Sequence, residues 1–272
     1  SQSKHQELES PSRDLVVMNE ELRFGNFGFQ EVKILLGNIG YIDLRAFADT
    51  TNGIAKDTAV AAMNFVAHCS SLIFDLRHNG GGSPTMIQLL TSYLYDEKEP
   101  VVHLNSLFWR FNNETQQFWT LPHVPGRRLP ADQAEVFVLT SRRTFSAAEE
   151  LAYNLQQLQR ATIVGETTIG GAHPGGTEIA TDRFVVWIPK GRAINPITNT
   201  NWEGTGVQPD IPVDAANALD TAHLQALTRL VEKSRTSSTA DDDSNEKNRE
   251  SLLYERHLQI LKHKLKHKHT CT

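Results

Sequence analysis

Leu72-Ile73-Phe74-Asp75-Leu76-Arg77-His78-Asn79-Gly80-Gly81-Gly82 is the stretch on which the reading of the fold turns. Its first five residues form a short apolar run that fits a buried strand. The run ends in a glycine triplet, and a helix through Met86, Leu89, Leu90 and Leu94 follows. Successive glycines let the backbone turn its N–H groups inward at φ values other residues avoid. A helix N-terminus adds partial positive charge behind them. That combination suits an anion, either a phosphate or the oxyanion of acyl transfer. It is equally a plain tight turn between strand and helix, and both readings stand on these residues alone. The spacing matches neither a P-loop nor a dinucleotide fingerprint, because no Lys and no third spaced Gly follow.

Outward from this stretch the same unit recurs. Val136-Phe137-Val138-Leu139 reads as another buried strand, ends in Ser141-Arg142-Arg143-Thr144-Phe145, and runs into a helix from Ser146 to about Gln159. Residues 161–164 read as a third strand, ending in Gly165. Alternating strands and helices imply parallel βαβ units, hence an α/β fold. Upstream, two apolar runs at 32–36 and 39–44 flank Gly37-Asn38, a hairpin turn signal. Asp57 is placed to cap a helix through Val60, Met63 and Val66. Residues 101–120, with Phe108, Trp109, Phe111, Phe118 and Trp119, read as an inserted β-hairpin. Residues 165–210 are rich in Gly, Pro, Asn and Thr around one strand pair, and so long an irregular stretch is usually functional.

Four domain segments are expected. Residues 1–29 are a lead-in or the remnant of a truncated helical subdomain, 30–233 the core, 234–250 a disordered linker, and 251–272 a basic helical tail. The tail alternates Lys and His (Lys262 to His269); it reads as a solvated appendage, with weak metal or acidic-surface binding as the alternative. The chain has 272 residues, 39% hydrophobic and 22% charged, with a formal net charge of -5. This balance suits one globular domain with appendages and gives no global argument for nucleic-acid or membrane binding. No apolar run is long enough to span a bilayer. With only Cys69 and Cys271, neither a disulfide framework nor a thiolate metal site is expected. No metal or other cofactor is expected either. Ser1 with no secretion-type segment after it fits a processed periplasmic or secreted protein, a fragment, or a cytoplasmic one.

Three more segments carry candidate chemistry. In Thr144-Phe145-Ser146-Ala147-Ala148-Glu149-Glu150, Ser146 sits where strand turns into helix, exposed to a dipole that favours negative charge. Ser-x-x-Glu is also a capping box, with Ser146 as N-cap and Glu149 reaching back. The two roles are compatible, because a nucleophile here needs the same turn. Gly165-Glu166-Thr167-Thr168-Ile169-Gly170-Gly171-Ala172-His173-Pro174-Gly175-Gly176 holds a lone His, either solvated or a general base. Asn201-Trp202-Glu203-Gly204-Thr205-Gly206-Val207-Gln208-Pro209-Asp210 holds a lone Glu, either a turn cap or the positioner of a base or water.

Taken in order, these motifs resemble the C-terminal processing (tail-specific) and tricorn-type serine peptidases. The matching segments are Gly40-Tyr41-Ile42-Asp43, the 75–82 run, 144–149, Gly165-Glu166-Thr167-Thr168 and the 203–210 run, over roughly residues 30–215. Gly171-Ala172-His173-Pro174 resembles the bacterial relatives that share their domain with interphotoreceptor retinoid-binding protein. The resemblance implies a crotonase/ClpP-like core of ββα units with an inserted β-hairpin. It implies Ser146 as nucleophile, with an oxyanion hole from the N–H of Ala147 and of the Gly80, Gly81 turn, and Glu203 as the glutamate of the tricorn-type tetrad. The substrate implied is a peptide or unfolded protein. Two departures stand out. Processing peptidases place a lysine base where this chain has Gly170, Gly171 and Ala172, and the tricorn type places a histidine where it has Asp43. His173 is the nearest substitute base. The few residues before the core lead us to expect no PDZ module within this sequence. Without a base Ser146 is a weak nucleophile, so a binding module for an apolar ligand such as a retinoid or fatty acid is the alternative. A phosphate-ligand enzyme is a third reading, with no Lys or metal carboxylate cluster to support it.

Overall fold

The computed structural model describes residues 20–51, 53–237 and 244–270. Its centre is a six-stranded sheet in the order β1-β2-β3-β6-β7-β11. Strands β1 (Phe29–Leu35) and β2 (Ile39–Leu44) form the expected antiparallel hairpin about Gly37 and Asn38, both at positive φ. From β2 onward every pairing is parallel: β2 with β3 (Ser71–Asp75), β3 with β6 (Glu135–Thr140), β6 with β7 (Ala161–Gly165), and β7 with the short β11 (Ile211–Pro212). Every residue of β2 and β3 is buried, which is why these strands read as near-continuous apolar runs rather than alternating ones.

The two faces are covered by different helices. Ile42, Leu72, Phe74, Val136, Val138 and Ile163 face a core shared with α1 (Ile54–Phe65), α2 (Pro84–Ser92) and α3 (Ala147–Gln157). Their alternates Ile39, Tyr41, Ile73, Phe137, Leu139 and Val164 pack under α4 (Ala215–Ser237) and α5 (Ser244–Thr270). A second sheet runs β10-β4-β5, joining β10 (Gly191–Ile194) to the inserted hairpin of β4 (His103–Trp109) and β5 (Glu114–Trp119). A two-stranded hairpin joins β8 (Gly175–Ile179) to β9 (Val185–Pro189); β9 is exposed along its length and β8 from Thr177 onward.

Three expectations are corrected. Helix α1 is capped by Gly53 at φ 82, and Asp57 lies inside its first turn. Residues 234–237 belong to α4 and 244–250 to α5, so those parts of 234–250 are helical rather than linker; 238–243 lie outside the described residues. The tail is not a solvated appendage. Tyr254, Leu258 and Leu261, one helical stripe, are buried against the sheet's second face, and Arg235 on α4 pairs with Glu255 on α5. The stripe packs chiefly on α4 and extends the buried cluster on that side of the sheet. Cys69 is buried and free, its thiol pushed up to about 11 by burial; Cys271 and residues 1–19 of the lead-in lie outside the described residues.

Candidate functional site

The carboxyl ends of β3, β6 and β7 release three of the four loops that form the site, as is general for parallel sheets. Asn79, fully buried, locks the first loop. Its Nδ2 donates to the Leu44 carbonyl at 2.8 Å, its Oδ1 accepts the Gly81 N–H at 2.8 Å, and its carbonyl accepts the Phe145 N–H at 3.1 Å. Gly81 is at φ +100, and a Cβ there would lie 2.8 Å from Ser146 Cβ and 2.9 Å from the Ala147 nitrogen. Only glycine lets the two loops come this close. The turn therefore abuts the Ser146 segment, but the Gly81 N–H is committed to Asn79. The N–H groups of Gly80 and Gly82 make no hydrogen bond among the described residues, and both glycines are exposed. The Ala147 N–H, in the first turn of α3, has no intrahelical partner either.

Ser146 is the N-cap of α3, with φ 55 and ψ -123, a backbone conformation costly for a non-glycine residue. The surrounding turn holds it there. The Thr144 hydroxyl donates to the Leu76 carbonyl at 2.8 Å, and the Ser141 hydroxyl donates to the Arg77 carbonyl at 2.5 Å. Behind the turn lies Glu149, fully buried. Its Oε2 accepts the N–H groups of Ser146 (2.8 Å) and Gly171 (2.9 Å); its Oε1 accepts the Gly170 N–H (2.6 Å) and the Thr168 hydroxyl (2.5 Å). The sequence presented Glu149 as a capping partner. The structure makes it the joint that ties the Ser146 turn to the loop carrying His173, and the Ser-x-x-Glu spacing was its only signal in sequence.

A further loop, residues 201–207 between β10 and β11, folds onto the loop that follows β7. Gly204 N–H donates to the Gly170 carbonyl at 2.8 Å, Val207 N–H donates to Thr168 Oγ1 at 2.8 Å, and the buried Trp202 donates its Nε1 to the Gly171 carbonyl at 3.2 Å. Glu203 Oε2 accepts the Ala172 N–H at 2.6 Å, while its Oε1 faces His173 Nδ1 at 3.7 Å. The two side chains are 43% and 34% exposed, so they pair at the surface and not in the core. Among the described residues no side chain hydrogen-bonds the Ser146 hydroxyl. Asp43 is not available as a base, because Arg45 clamps its carboxylate through two 2.7 Å bonds. Asp75 is held likewise by Arg77 and by the Tyr41 hydroxyl at 2.7 Å. Burial and the neighbouring Asp75 push the Tyr41 phenol up, and the Arg77 guanidinium and Tyr41 hydrogen bonds hold Asp75 below the usual carboxylate range.

Among the described residues there is no cluster of three or more His, Cys, Asp or Glu side chains that could hold a metal ion, and no helix is long and apolar enough to cross a membrane. A family model described as peptidase family S41 matches residues 38–213. Among solved structures the chain is similar to a photosystem II D1 C-terminal processing protease, at 23% identity and a TM-score of 0.50 over 65% of this chain and 43% of that one. A Bacteroides fragilis NCTC 9343 protein assigned to the S41 proteases matches at 21% identity and a TM-score of 0.58, over 86% and 58% of the two chains. A Streptococcus agalactiae lipoprotein matches at 16% identity and a TM-score of 0.54, over 77% and 74%. The chain thus spans about half the length of the first two.

Proposed function

The chain belongs to peptidase family S41, and on that premise we propose that it is the catalytic core of a serine peptidase hydrolysing peptides or unfolded protein segments, with Ser146 as nucleophile. The observation that carries this reading is the packing of Gly81 against Ser146 and Ala147, which brings a glycine turn, a helix N-terminus and a strained serine to one point. Ser146 Oγ attacks the scissile carbonyl. The oxyanion accepts hydrogen bonds from the Ala147 N–H and from Gly80 or Gly82, the turn's uncommitted donors. His173 Nε2 takes the hydroxyl proton, and Glu203 holds the opposite ring nitrogen, closing its gap by rotating a half-exposed carboxylate. Collapse of the intermediate breaks the C–N bond as His173 gives its proton to the departing amine, and water then hydrolyses the acyl-enzyme by the same relay. The order of β2, β3, β6 and β7 with their intervening helices supports a crotonase/ClpP-like core. The Gly171-Ala172-His173-Pro174 run supports a place near the bacterial relatives of interphotoreceptor retinoid-binding protein.

The test is labelling with a serine-directed covalent inhibitor alongside peptide cleavage. Ser146→Ala should abolish both, and His173→Ala should slow both about 10²- to 10⁴-fold. Labelling and cleavage that survive Ser146→Ala would refute the assignment. A second reading, binding of an apolar ligand, is favoured by the β8–β9 hairpin, where Ile179, Phe184 and Trp187 are at least 60% exposed. Titration with a retinoid or a fatty acid while following Trp fluorescence tests it; saturable binding unaffected by Ser146→Ala would support it, and no binding would remove it.

A further inference from the structure

The β8–β9 hairpin carries exposed apolar side chains that the proposed catalysis leaves unused, among them Ile179, Val185, Val186, Trp187 and Ile188. Its hydrogen bonds show how it is oriented toward the site. The Ala172 carbonyl accepts the Ala193 N–H at 3.2 Å, the Pro174 carbonyl accepts the Lys190 N–H at 2.9 Å, and the Ala180 N–H donates to the Phe184 carbonyl at 2.9 Å. The even-numbered residues from 172 to 180 therefore bond toward β9 and β10, in the every-second-residue pattern of one extended strand. The odd residues 173, 175, 177 and 179 turn their backbone groups to the other side. The sheet of β8 and β9 has two strands, so that edge of β8 has no neighbouring strand among the described residues. No loop or turn bond engages the N–H or carbonyl of Gly175, Thr177 or Ile179 there either.

The same alternation sorts the side chains. His173, Thr177 and Ile179 stand on one face with Trp187 and Val185, the partners of Thr177 and Ile179 across the hairpin. The opposite face carries Val186 and Ile188 with the ion pair of Glu178 and Lys190. The face shared with His173 is thus apolar and begins at the proposed base. A free strand edge calls for a partner with backbone donors and acceptors, which a fatty acid, a retinoid or a bilayer core does not offer. An isolated two-stranded hairpin is also marginal until a further strand joins it. We propose that the hairpin is a docking arm for the peptide substrate. An extended segment adds to the free edge of β8 as a third strand, its alternate apolar side chains join Ile179, Val185 and Trp187, and its scissile bond lies at the His173 end. From His173 to Ile179 the strand advances about 20 Å. The substrate selected is therefore an unfolded, apolar stretch reaching about six residues from the scissile bond, and a folded chain does not meet the requirement.

The inference rests on the peptidase reading, with Ser146 as nucleophile and His173 as base, so the first measurement avoids catalysis. A fluorescein-labelled peptide of alternating Val and Thr, about ten residues long, is titrated onto the Ser146→Ala protein and followed by anisotropy. Adding Trp187→Ser should weaken binding about tenfold, and Val186→Ser, on the opposite face, less than about twofold. Two further peptides, N-methylated on every Val or on every Thr, lose the donors of one side of the strand and need no change to the hairpin. One should bind like the parent and the other at least about tenfold more weakly. A parent peptide that does not bind, equal binding of the two methylated peptides, or equal effects of W187S and V186S overturns the proposal. So does a concentration-dependent dimer in sedimentation that Trp187→Ser dissolves while peptide binding stays the same. Cleavage of the same peptide with Ser146 intact separates the two readings. Binding with these dependences in a protein that neither cleaves nor labels supports the arm and removes the Ser146 assignment. Cleavage whose KM ignores Trp187→Ser keeps the assignment and overturns the arm.

Discussion

Replacing Glu149 by Gln should destabilise the fold by about 3–5 kcal/mol, and the figure follows from counting donors. The carboxylate accepts four, two on each oxygen. Glutamine offers one oxygen and an NH₂, so one pair of donors must face another donor. Thr168 can rotate its hydroxyl, whereas backbone N–H groups cannot. The amide should therefore settle with NH₂ toward Thr168 and Gly170, keeping the Ser146 and Gly171 bonds. One buried N–H is then orphaned, at about 1–3 kcal/mol, and the two bonds that remain lose their charge assistance, at about 1 kcal/mol each. Urea unfolding followed by Trp202 fluorescence reads the loss. With m near 3 kcal/mol/M for a domain of this size, the midpoint should fall by about 1–1.7 M. Labelling of Ser146 should suffer less than peptide cleavage, because the bond given up is on the His173 loop. A midpoint within about 0.3 M of wild type would refute the reasoning.

Glu150→Gln should act in the opposite sense and depend on pH. Its carboxyl is raised from 4.5 to about 7 on folding, so the folded state keeps a proton the unfolded chain loses; that contribution is intact below about pH 4.5, lost progressively up to about pH 7, and level beyond. Stability of the wild type relative to E150Q should thus fall by about 3 kcal/mol across that window, measured as paired urea midpoints; parallel curves would count against it. Gly81→Ala should abolish Ser146 labelling, since the added methyl meets Ser146 Cβ at 2.8 Å at a positive φ; full labelling in a folded variant would contradict the packing described. Leu258→Ala should cost about 2–3 kcal/mol in thermal or urea unfolding, and no loss would mean that α5 does not cover the sheet.

The parts legible in sequence were those specified locally. The strands at β3, β6 and β7 are short apolar runs bounded by glycine or polar turns, and each run is long enough for one strand and too short for a helix. The Ser146 turn was legible for the same reason. Pairing over long distances was not: β10 joins β4 more than eighty residues away, and nothing within 191–194 names its partner. The tail was misjudged because its Lys and His residues dominate composition, while burial is decided by the stripe at Tyr254, Leu258 and Leu261 and by its packing on α4, which only the assembled fold reveals.

The adjacent glutamates mark the limit most sharply. In the sequence Glu149 and Glu150 are one acidic pair at a helix start, where the dipole favours both. A rotation of 100° along the helix separates their surroundings. Glu149 turns into a nest of four donors, which suits a carboxylate. Glu150 turns into the interior, where burial raises its carboxyl to about 7 against the opposing pull of the Asn105 and Asn154 amides. A helical wheel shows that the two side chains diverge; what each then meets is fixed by the 168–171 loop and by β4, brought there by the fold. Exchanging the two predictions, by finding that Gln is tolerated at 149 and harmful at 150, would therefore be evidence against the donor count at Glu149 and the burial cost at Glu150 at once.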